Sequence, residues 1–327
     1  MRPTQVFIVG MNGSGTTMLL DCLTGHSMLY GFHDETKVLP YFIERQSQYG
    51  DLTDDRNFAR LWHDLETSIS GKDWPKGISS TAIEGWGDRP RSVPAIFDWV
   101  MAMRATAEGK QVWCEKTPMY VHHMCLLADA FPAAKFIHVI RDGRDCAASF
   151  HRRWRFNPVR TAYRWKRAVQ SGRLQGARLA SRYREIHYEQ LTTSPDTVLS
   201  EICEFLGVPF EPAILNLSRY RPQMTGSMVQ SIAPNERRAE QYFRPATLKE
   251  IERVAGRCLA ECGYVTRYVA GDRNPSRWML RWWEMSDDRR RLQGVLRTAA
   301  GMRKSGRWSY FTRRVLGALK QKDSLKL

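Results

Sequence analysis

Short apolar runs punctuate the chain, separated by longer stretches of helical periodicity. Four runs read as strands: Val6–Val9, Gln111–Cys114, Lys135–Ile140 and Glu185–Tyr188. Helical patterns follow the first at Thr16, the second at Pro118, the third near Arg144 and the last from about Pro195. This alternation predicts an α/β fold of the phosphate-loop type, in which a central parallel sheet is flanked by crossover helices in three layers. Ligands of such sheets bind at the carboxyl ends of the strands, where loops lead into helix N-termini.

Two stretches break the alternation. From Tyr49 to Pro94 the chain is polar, with "SGKDWPKG" and "GWGDRPR" as loop signals. It reads either as an insertion shaping an acceptor pocket or as a solvated surface excursion. After "AECGYV" the composition shifts, which places a boundary near Gly271 between a main domain (1–270) and a basic helical extension (271–327). Within the extension, "SRWMLRWWEM" and "RWSYFTRRVLGALKQK" each fit a short amphipathic helix. In the second, Trp308, Phe311, Val315 and Leu319 follow helical spacing, with Arg313, Arg314 and Lys320 elsewhere on the turn. Interleaved Trp and Arg suit a membrane surface. Docking on the main domain or on a second subunit suits the adjacent Trp282 and Trp283.

With 327 residues, 43% of them hydrophobic, the chain can bury a sizeable core. Its net charge of +16 points to anionic ligands, polymers or membrane surfaces. The segment from Asp272 to Leu327 supplies +10 of that, with 15 Lys+Arg against 5 Asp+Glu. The main domain is therefore only mildly basic. With no recognisable reader motif either, a nucleic-acid partner is not expected. Seven cysteines without C-x-x-C pairs suggest reduced thiols, and no His or Cys spacing completes a metal site. The N-terminus runs straight into a strand, leaving no room for a signal peptide, and no stretch approaches the roughly 18 apolar residues of a membrane span. A cytoplasmic location, at most peripheral to a membrane, is the expectation.

The first strand leads into "GMNGSGTT". Against the phosphate-loop pattern G-x-x-x-x-G-K-[ST], Gly10, Gly15 and Thr17 fall in place, but Thr16 replaces the lysine. Gly10, Gly13 and Gly15 let successive N–H groups converge on an anion at the positive end of a helix. Asn12 flanks the turn, and Ser14, Thr16 and Thr17 add hydroxyls. The lysine of nucleotide triphosphatases reaches the β- and γ-phosphates. Without it the loop suits a single phosphate, and no acidic partner for Mg²⁺ stands out.

A second anion site is written in "KFIHVIRDGRDCAASF". Arg141 ends a buried strand, where its fork can grip a phosphate bidentately. Ser149, eight residues on, falls early in the next helix. Alone, "RDGRD" equally describes a surface ion-pair cluster. Beside the first loop it reads as a second phosphate site for the same ligand.

Together these elements resemble sulfotransferases that use 3′-phosphoadenosine 5′-phosphosulfate (PAPS). The resemblance implies that the "SGTT" loop holds the 5′-phosphosulfate and that Arg141 and Ser149 hold the 3′-phosphate. Further segments resemble the tyrosylprotein and carbohydrate branch of that family. "HDETKVLP" is similar to the segment carrying the catalytic glutamate, which puts Glu35 on that position. "CEKTP" is similar to the segment whose lysine stands beside the transferred group, here Lys116. "HYEQL" resembles the strand end whose tyrosine contacts the nucleotide, here Tyr188. Arg153 falls where such enzymes place another nucleotide-binding arginine. "GSMVQSIAP…YFRP" resembles the late loop that closes over the cofactor, with Arg244 as its candidate. The resemblance spans roughly residues 5 to 265. One departure concerns the arginine that relatives carry directly before Ser-Gly-Thr-Thr, where this chain has Gly13. Its charge would have to come from Lys116 and Lys37.

The implied reaction is in-line transfer of a sulfuryl group from PAPS, without a metal, to a hydroxyl of a carbohydrate, glycolipid or tyrosyl acceptor, anionic or membrane-linked. Glu35 would take the acceptor's proton, with His33 and Asp34 as flanking candidates. Lys116 and the loop N–H groups would stabilise the leaving oxygen. Two other readings stay open: a phosphate-loop kinase of small molecules, and a nucleotide-binding homologue with weakened catalysis. Thr16 speaks against the first; Gly13 favours the second, while Glu35 and Lys116 oppose it.

Overall fold

A computed structural model of the chain describes residues 5–69, 74–217, 232 and 238–303. Its strands are β1 (Gln5–Gly10), β2 (Leu29–Phe32), β3 (Val112–Lys116), β4 (Lys135–Ile140) and β5 (Tyr183–His187). All neighbouring strands pair in parallel, in the order β2-β3-β1-β4-β5. The central strand β1 is buried throughout, so the loop that leaves it emerges in the middle of the sheet's carboxyl edge.

The helices begin with α1 (Thr16–Thr24), α2 (Leu39–Arg45), α3 (Asp55–Ser68), α4 (Ser79–Glu84), α5 (Val93–Ala107) and α6 (Met124–Ala130). They continue with α7 (Gly143–Trp154), α8 (Pro158–Leu179), α9 (Tyr188–Thr193), α10 (Pro195–Leu206), α11 (Arg238–Tyr242), α12 (Pro245–Glu261) and α13 (Arg277–Arg303). The two faces of β1 feed two cores, because alternate strand residues point to opposite sides. Phe7 and Val9 join Phe97, Trp113, Phe131, Phe136 and Trp165 on one face. Val6 and Ile8 join Leu19, Leu23, Leu199 and Ile202 on the other. This is the three-layer α/β arrangement the sequence pattern predicts.

Three local features differ from the sequence reading. Strand β2 was not anticipated: it is four residues long and pairs with β3 in the register Leu29↔Val112 to Phe32↔Glu115. A run so short, directly after a helix, carries no periodicity of its own. The stretch from Pro118 opens as a 3-10 turn (Pro118–His122) before α6 begins. Between Tyr49 and Pro94 the solvated-excursion alternative fails. Phe58, Leu61, Trp62 and Leu65 of α3 are buried, and the Trp62 ring packs edge-on against Trp86 at 5.0 Å. These side chains belong to the same core as Phe7.

Past α12 the chain is strapped to the main body. The Glu252 carboxylate accepts the N–H groups of Arg267, Tyr268 and Val269 and pairs with Arg144 at 2.9 Å. Lys166 of α8 pairs with Asp272 at 2.8 Å, so bonding continues across Gly271. Helix α13 starts where the first amphipathic pattern begins but runs on to Arg303. Of the adjacent tryptophans only Trp283 is buried. The second pattern, with Trp308, Phe311, Val315 and Leu319, lies outside the described residues. No described helix is long and apolar enough to cross a membrane. All seven thiols are free, and all but Cys125 are buried.

Candidate active site

The loop from β1 to α1 is shaped by its glycines. Gly13 and Gly15 take φ angles of +89° and +101°, which L-residues rarely adopt. A Cβ on Gly15 would also overlap the Tyr188 ring. Ser14 N–H closes the turn on the Met11 carbonyl at 3.0 Å. Gly15 caps α1 without a side-chain hydrogen bond, so this helix start is left to an outside acceptor. The Ser14 hydroxyl is buried and finds no partner among the described residues. Thr16 is buried, Thr17 exposed, and Asn12 half-buried at the loop's shoulder. An uncapped helix start with an orphaned hydroxyl fits an anion ligand.

Arg141 follows directly on β4. Its guanidinium lies 4.2 Å over the Tyr188 ring and donates to the Gly13 carbonyl at 3.4 Å. Tyr188 opens α9 at the end of β5, and its ring lies against both Gly15 of the glycine loop and the Arg141 guanidinium. Ser149 lies close enough to Gly13 that a Cβ there would stand 3.8 Å from its hydroxyl. Arg141, Ser149 and Arg153 share a cleft of about 460 Å³, to which Arg152, Asp145, Gln241 and Tyr242 also contribute. The sequence reading missed Arg152 and Asp145, although Arg152 is legible as the neighbour of Arg153 one turn from Ser149. Burial pushes the Asp145 carboxyl up; the Ala239 N–H works against that rise. Arg144 turns away from the cleft to pair with Asp142 and Glu252 and to donate to the Val265 carbonyl. Within "RDGRD", Arg141 lines the cleft, while Arg144 builds an ion-pair network that is buried rather than on the surface.

Arg244 is not brought to this cleft. It sits exposed at the N-cap of α12, where its carbonyl accepts from Thr247, while Gln241 and Tyr242 of the same segment line the cavity. Most of the late loop it was assigned to, from Gly226 on, lies outside the described residues.

Glu35 and Lys116 meet at the carboxyl end of β3. Lys116 Nζ donates to Glu35 Oε1 at 3.2 Å, and Lys37 Nζ lies 3.1 Å from Oε2. Burial raises the Glu35 carboxyl, but Lys116 and Lys37 together outweigh it and hold the group below its ordinary value. Lys37 takes a left-handed φ of +61°, a strained choice for a residue with a side chain. His33 Nδ1 lies 3.4 Å from Asp21 Oδ1 on α1; burial raises the Asp21 carboxyl, with His33 and then Lys116 opposing. Lys116 pairs in register with Ile8, two residues before the glycine loop, so both clusters share one edge of the sheet.

Beneath Glu35 lies a buried network absent from the sequence reading. Glu115 accepts from the Thr36 N–H at 3.3 Å, the Thr36 hydroxyl at 2.9 Å and the Thr117 hydroxyl. The Tyr120 hydroxyl bonds Thr36 at 2.7 Å and accepts from the Leu39 N–H. Burial pushes the Glu115 carboxyl up to about 7, and hydrogen bonds from Thr117 and Thr36 only partly offset it. Among the described residues, no group of three or more His, Cys, Asp and Glu is placed to hold a metal ion.

A family model described as "Sulfotransferase family" matches residues 3–212. Protein-tyrosine sulfotransferase A of Caenorhabditis elegans is 26% identical over 263 residues, covering 77% of this chain and 61% of its own length. Protein-tyrosine sulfotransferase 1 of Danio rerio is 23% identical, covering 77% and 66%. The chain thus spans about three fifths to two thirds of the length of these relatives. Among solved structures, the sulfotransferase domain of the Synechococcus PCC 7002 olefin synthase superposes with a TM-score of 0.52 at 24% identity, covering 78% of this chain and 95% of that one. The sulfotransferase domain from the curacin biosynthetic pathway gives 0.53 at 24%, covering 82% and 100%. These two likenesses bear on the fold.

Proposed function

The chain belongs to the sulfotransferase family, and we propose that it transfers a sulfuryl group from PAPS to a hydroxyl acceptor. The observation that carries this reading is Glu35, held between Lys116 and Lys37 on the sheet edge that also bears the uncapped glycine loop. PAPS, when bound, supplies the sulfuryl group on its 5′-phosphate. The N–H groups of Gly13, Gly15, Thr16 and Thr17, with the Ser14 and Thr16 hydroxyls, bind that phosphate. Tyr188 packs against the nucleotide, while Arg141, Ser149 and Arg153 hold the 3′-phosphate.

Glu35 accepts the acceptor's proton. Its lysine neighbours keep it a carboxylate at neutral pH, so it needs no prior deprotonation. Lys116, buried at the end of β3, stabilises the oxygen that gains charge. Gly13 leaves no arginine before the Ser-Gly-Thr-Thr, and its left-handed φ would strain one there. Lys37 is the second cation the site offers.

Two curated relatives are named for protein tyrosine, which makes a tyrosyl hydroxyl the first acceptor to try and glycans and glycolipids the next. The test is incorporation of label from radioactive PAPS into a tyrosyl peptide and a glycan panel, with Glu35→Gln beside the native chain. Transfer that falls about 10²–10⁴-fold in Glu35→Gln supports the proposal. Label transferred equally by both proteins removes Glu35 from the role. The Gly13 position favours one second reading, a homologue that binds nucleotide without turnover. It gains if adenosine 3′,5′-bisphosphate, the desulfated donor, binds and no acceptor is labelled.

A further inference from the structure

Helix α13 is docked by one face and exposes the other. Trp283 and Asp287 point inward, 8% and 1% exposed. Asp287 accepts from the Asn157 N–H at 2.7 Å and pairs with Arg160 at 2.8 Å. Farther along, Arg290 donates to the Arg155 carbonyl. At 3.6 residues per turn, positions 278, 282, 285 and 289 fall on the opposite side. Trp278 is 80% exposed, Trp282 63% and Met285 70%, and Arg289 beside them is exposed too. Trp154, at the end of α7 one residue from Arg155, is a further exposed ring at the same end of the molecule.

Scattered single apolar residues on a surface need no explanation, but two tryptophans and a methionine in one stripe do. The charge around the stripe says what covers it. Exposed Arg277, Arg281 and Arg289 surround it, and Asp288 sits half-buried on the flank. Arg160 and Arg290 between them pair with Glu284 and Asp287, which removes those two carboxylates from the balance. By sequence alone, residues 291–327 carry a further ten Lys+Arg against one acidic residue. A second copy of a chain at +16 would be repelled by this face. A single-stranded nucleic acid could stack bases on the tryptophans, but Met285 beside them offers no stacking face and no reader motif accompanies them. Tryptophan flanked by arginine on a helix lying flat is what a lipid–water interface accepts.

We propose that the outward face of α13 binds an anionic lipid surface, Trp278, Trp282 and Met285 entering the interface while Arg281 and Arg289 meet the headgroups. This goes beyond the transfer reaction and does not depend on it. The full chain is sedimented with vesicles of phosphatidylcholine and of phosphatidylcholine mixed equally with phosphatidylglycerol. Tryptophan emission and size-exclusion behaviour are followed alongside. The expected result is binding to the anionic vesicles, with blue-shifted emission, that weakens with salt. It should fall roughly tenfold or more in Trp278→Ser/Trp282→Ser, and by a similar factor in Arg281→Gln/Arg289→Gln. Unchanged thermal midpoints keep those variants interpretable, because both pairs lie on the exposed face. Three results would overturn the proposal: no vesicle binding, binding indifferent to both double variants, or a tryptophan-dependent dimer in place of vesicle binding, which would assign the face to a second copy.

Discussion

Thr36 is fastened to Glu115 twice, through its N–H at 3.3 Å and its hydroxyl at 2.9 Å, and it is the residue next to Glu35. The neighbour of Glu115 on β3 is Lys116, so one buried carboxylate sets the spacing between the candidate base and its cation. Glu115 is thus a positioning residue. Glu115→Ala leaves the Thr36 and Thr117 donors without an acceptor and should cost about 1–3 kcal/mol. In a turnover assay it should lower kcat while leaving KM for the nucleotide donor nearly unchanged, and Glu115→Gln, which keeps an acceptor oxygen, should restore most of kcat.

The same carboxyl makes a stability prediction. Burial raises it to about 7, so the folded chain holds a proton that the unfolded chain has released between the ordinary carboxylate range and neutrality. Its contribution is therefore complete at low pH and is lost as pH rises towards 7. Chemical denaturation from pH 4 to 8 should show Glu115→Gln gaining on the native chain across that window, by on the order of 2–3 kcal/mol at its upper end. Parallel curves would mean that Glu115 does not titrate there.

Lys37→Met probes the electrostatics of the base. Burial raises Glu35 and the two lysines hold it down, so removing Lys37 moves its titration upward. The carboxylate is the working form, and activity falls as pH drops through its pKa. The acid limb of the kcat profile should accordingly shift to higher pH in Lys37→Met, with the alkaline limb unmoved. An unmoved acid limb would show that another group sets it.

Arg144→Met tests the strap that closes the body of the fold. Arg144 pairs with Glu252, which also gathers three N–H groups of residues 267–269. Breaking a buried pair from one side should cost about 3–5 kcal/mol, read as a lower urea midpoint with an unchanged slope.

The sheet and the glycine-rich turn after β1 were legible because their signals are local. A strand, three glycines and hydroxyls within eight residues fix the loop, and Arg141 with Ser149 needs only a strand end and two helical turns. Glu35 and Lys116 are 81 residues apart and were joined only through resemblance; nothing local says that they touch. Glu115 was read past because the expected strand stops at Cys114, and a glutamate just beyond a strand looks like a surface residue until β2 and the loop after it bury it. The aromatic core of α3 hid in the same way behind polar composition, its Phe58, Leu61, Trp62 and Leu65 spaced for one helix face. Trp282 and Trp283 split between solvent and core because neighbours on a helix point about 100° apart.

The central claim is that the glycine loop and the arginine cleft together hold a nucleotide with separate 5′ and 3′ phosphates. Thermal unfolding of the full chain with adenosine 3′,5′-bisphosphate tests it most directly, with ATP, with and without Mg²⁺, and Arg141→Ala run alongside. At about 100 times its dissociation constant the bisphosphate should add roughly 2.7 kcal/mol of stability without a metal, and Arg141→Ala should lose that gain. Stabilisation by ATP and Mg²⁺ alone, or none by the bisphosphate, would contradict the account and return the loop to a kinase reading.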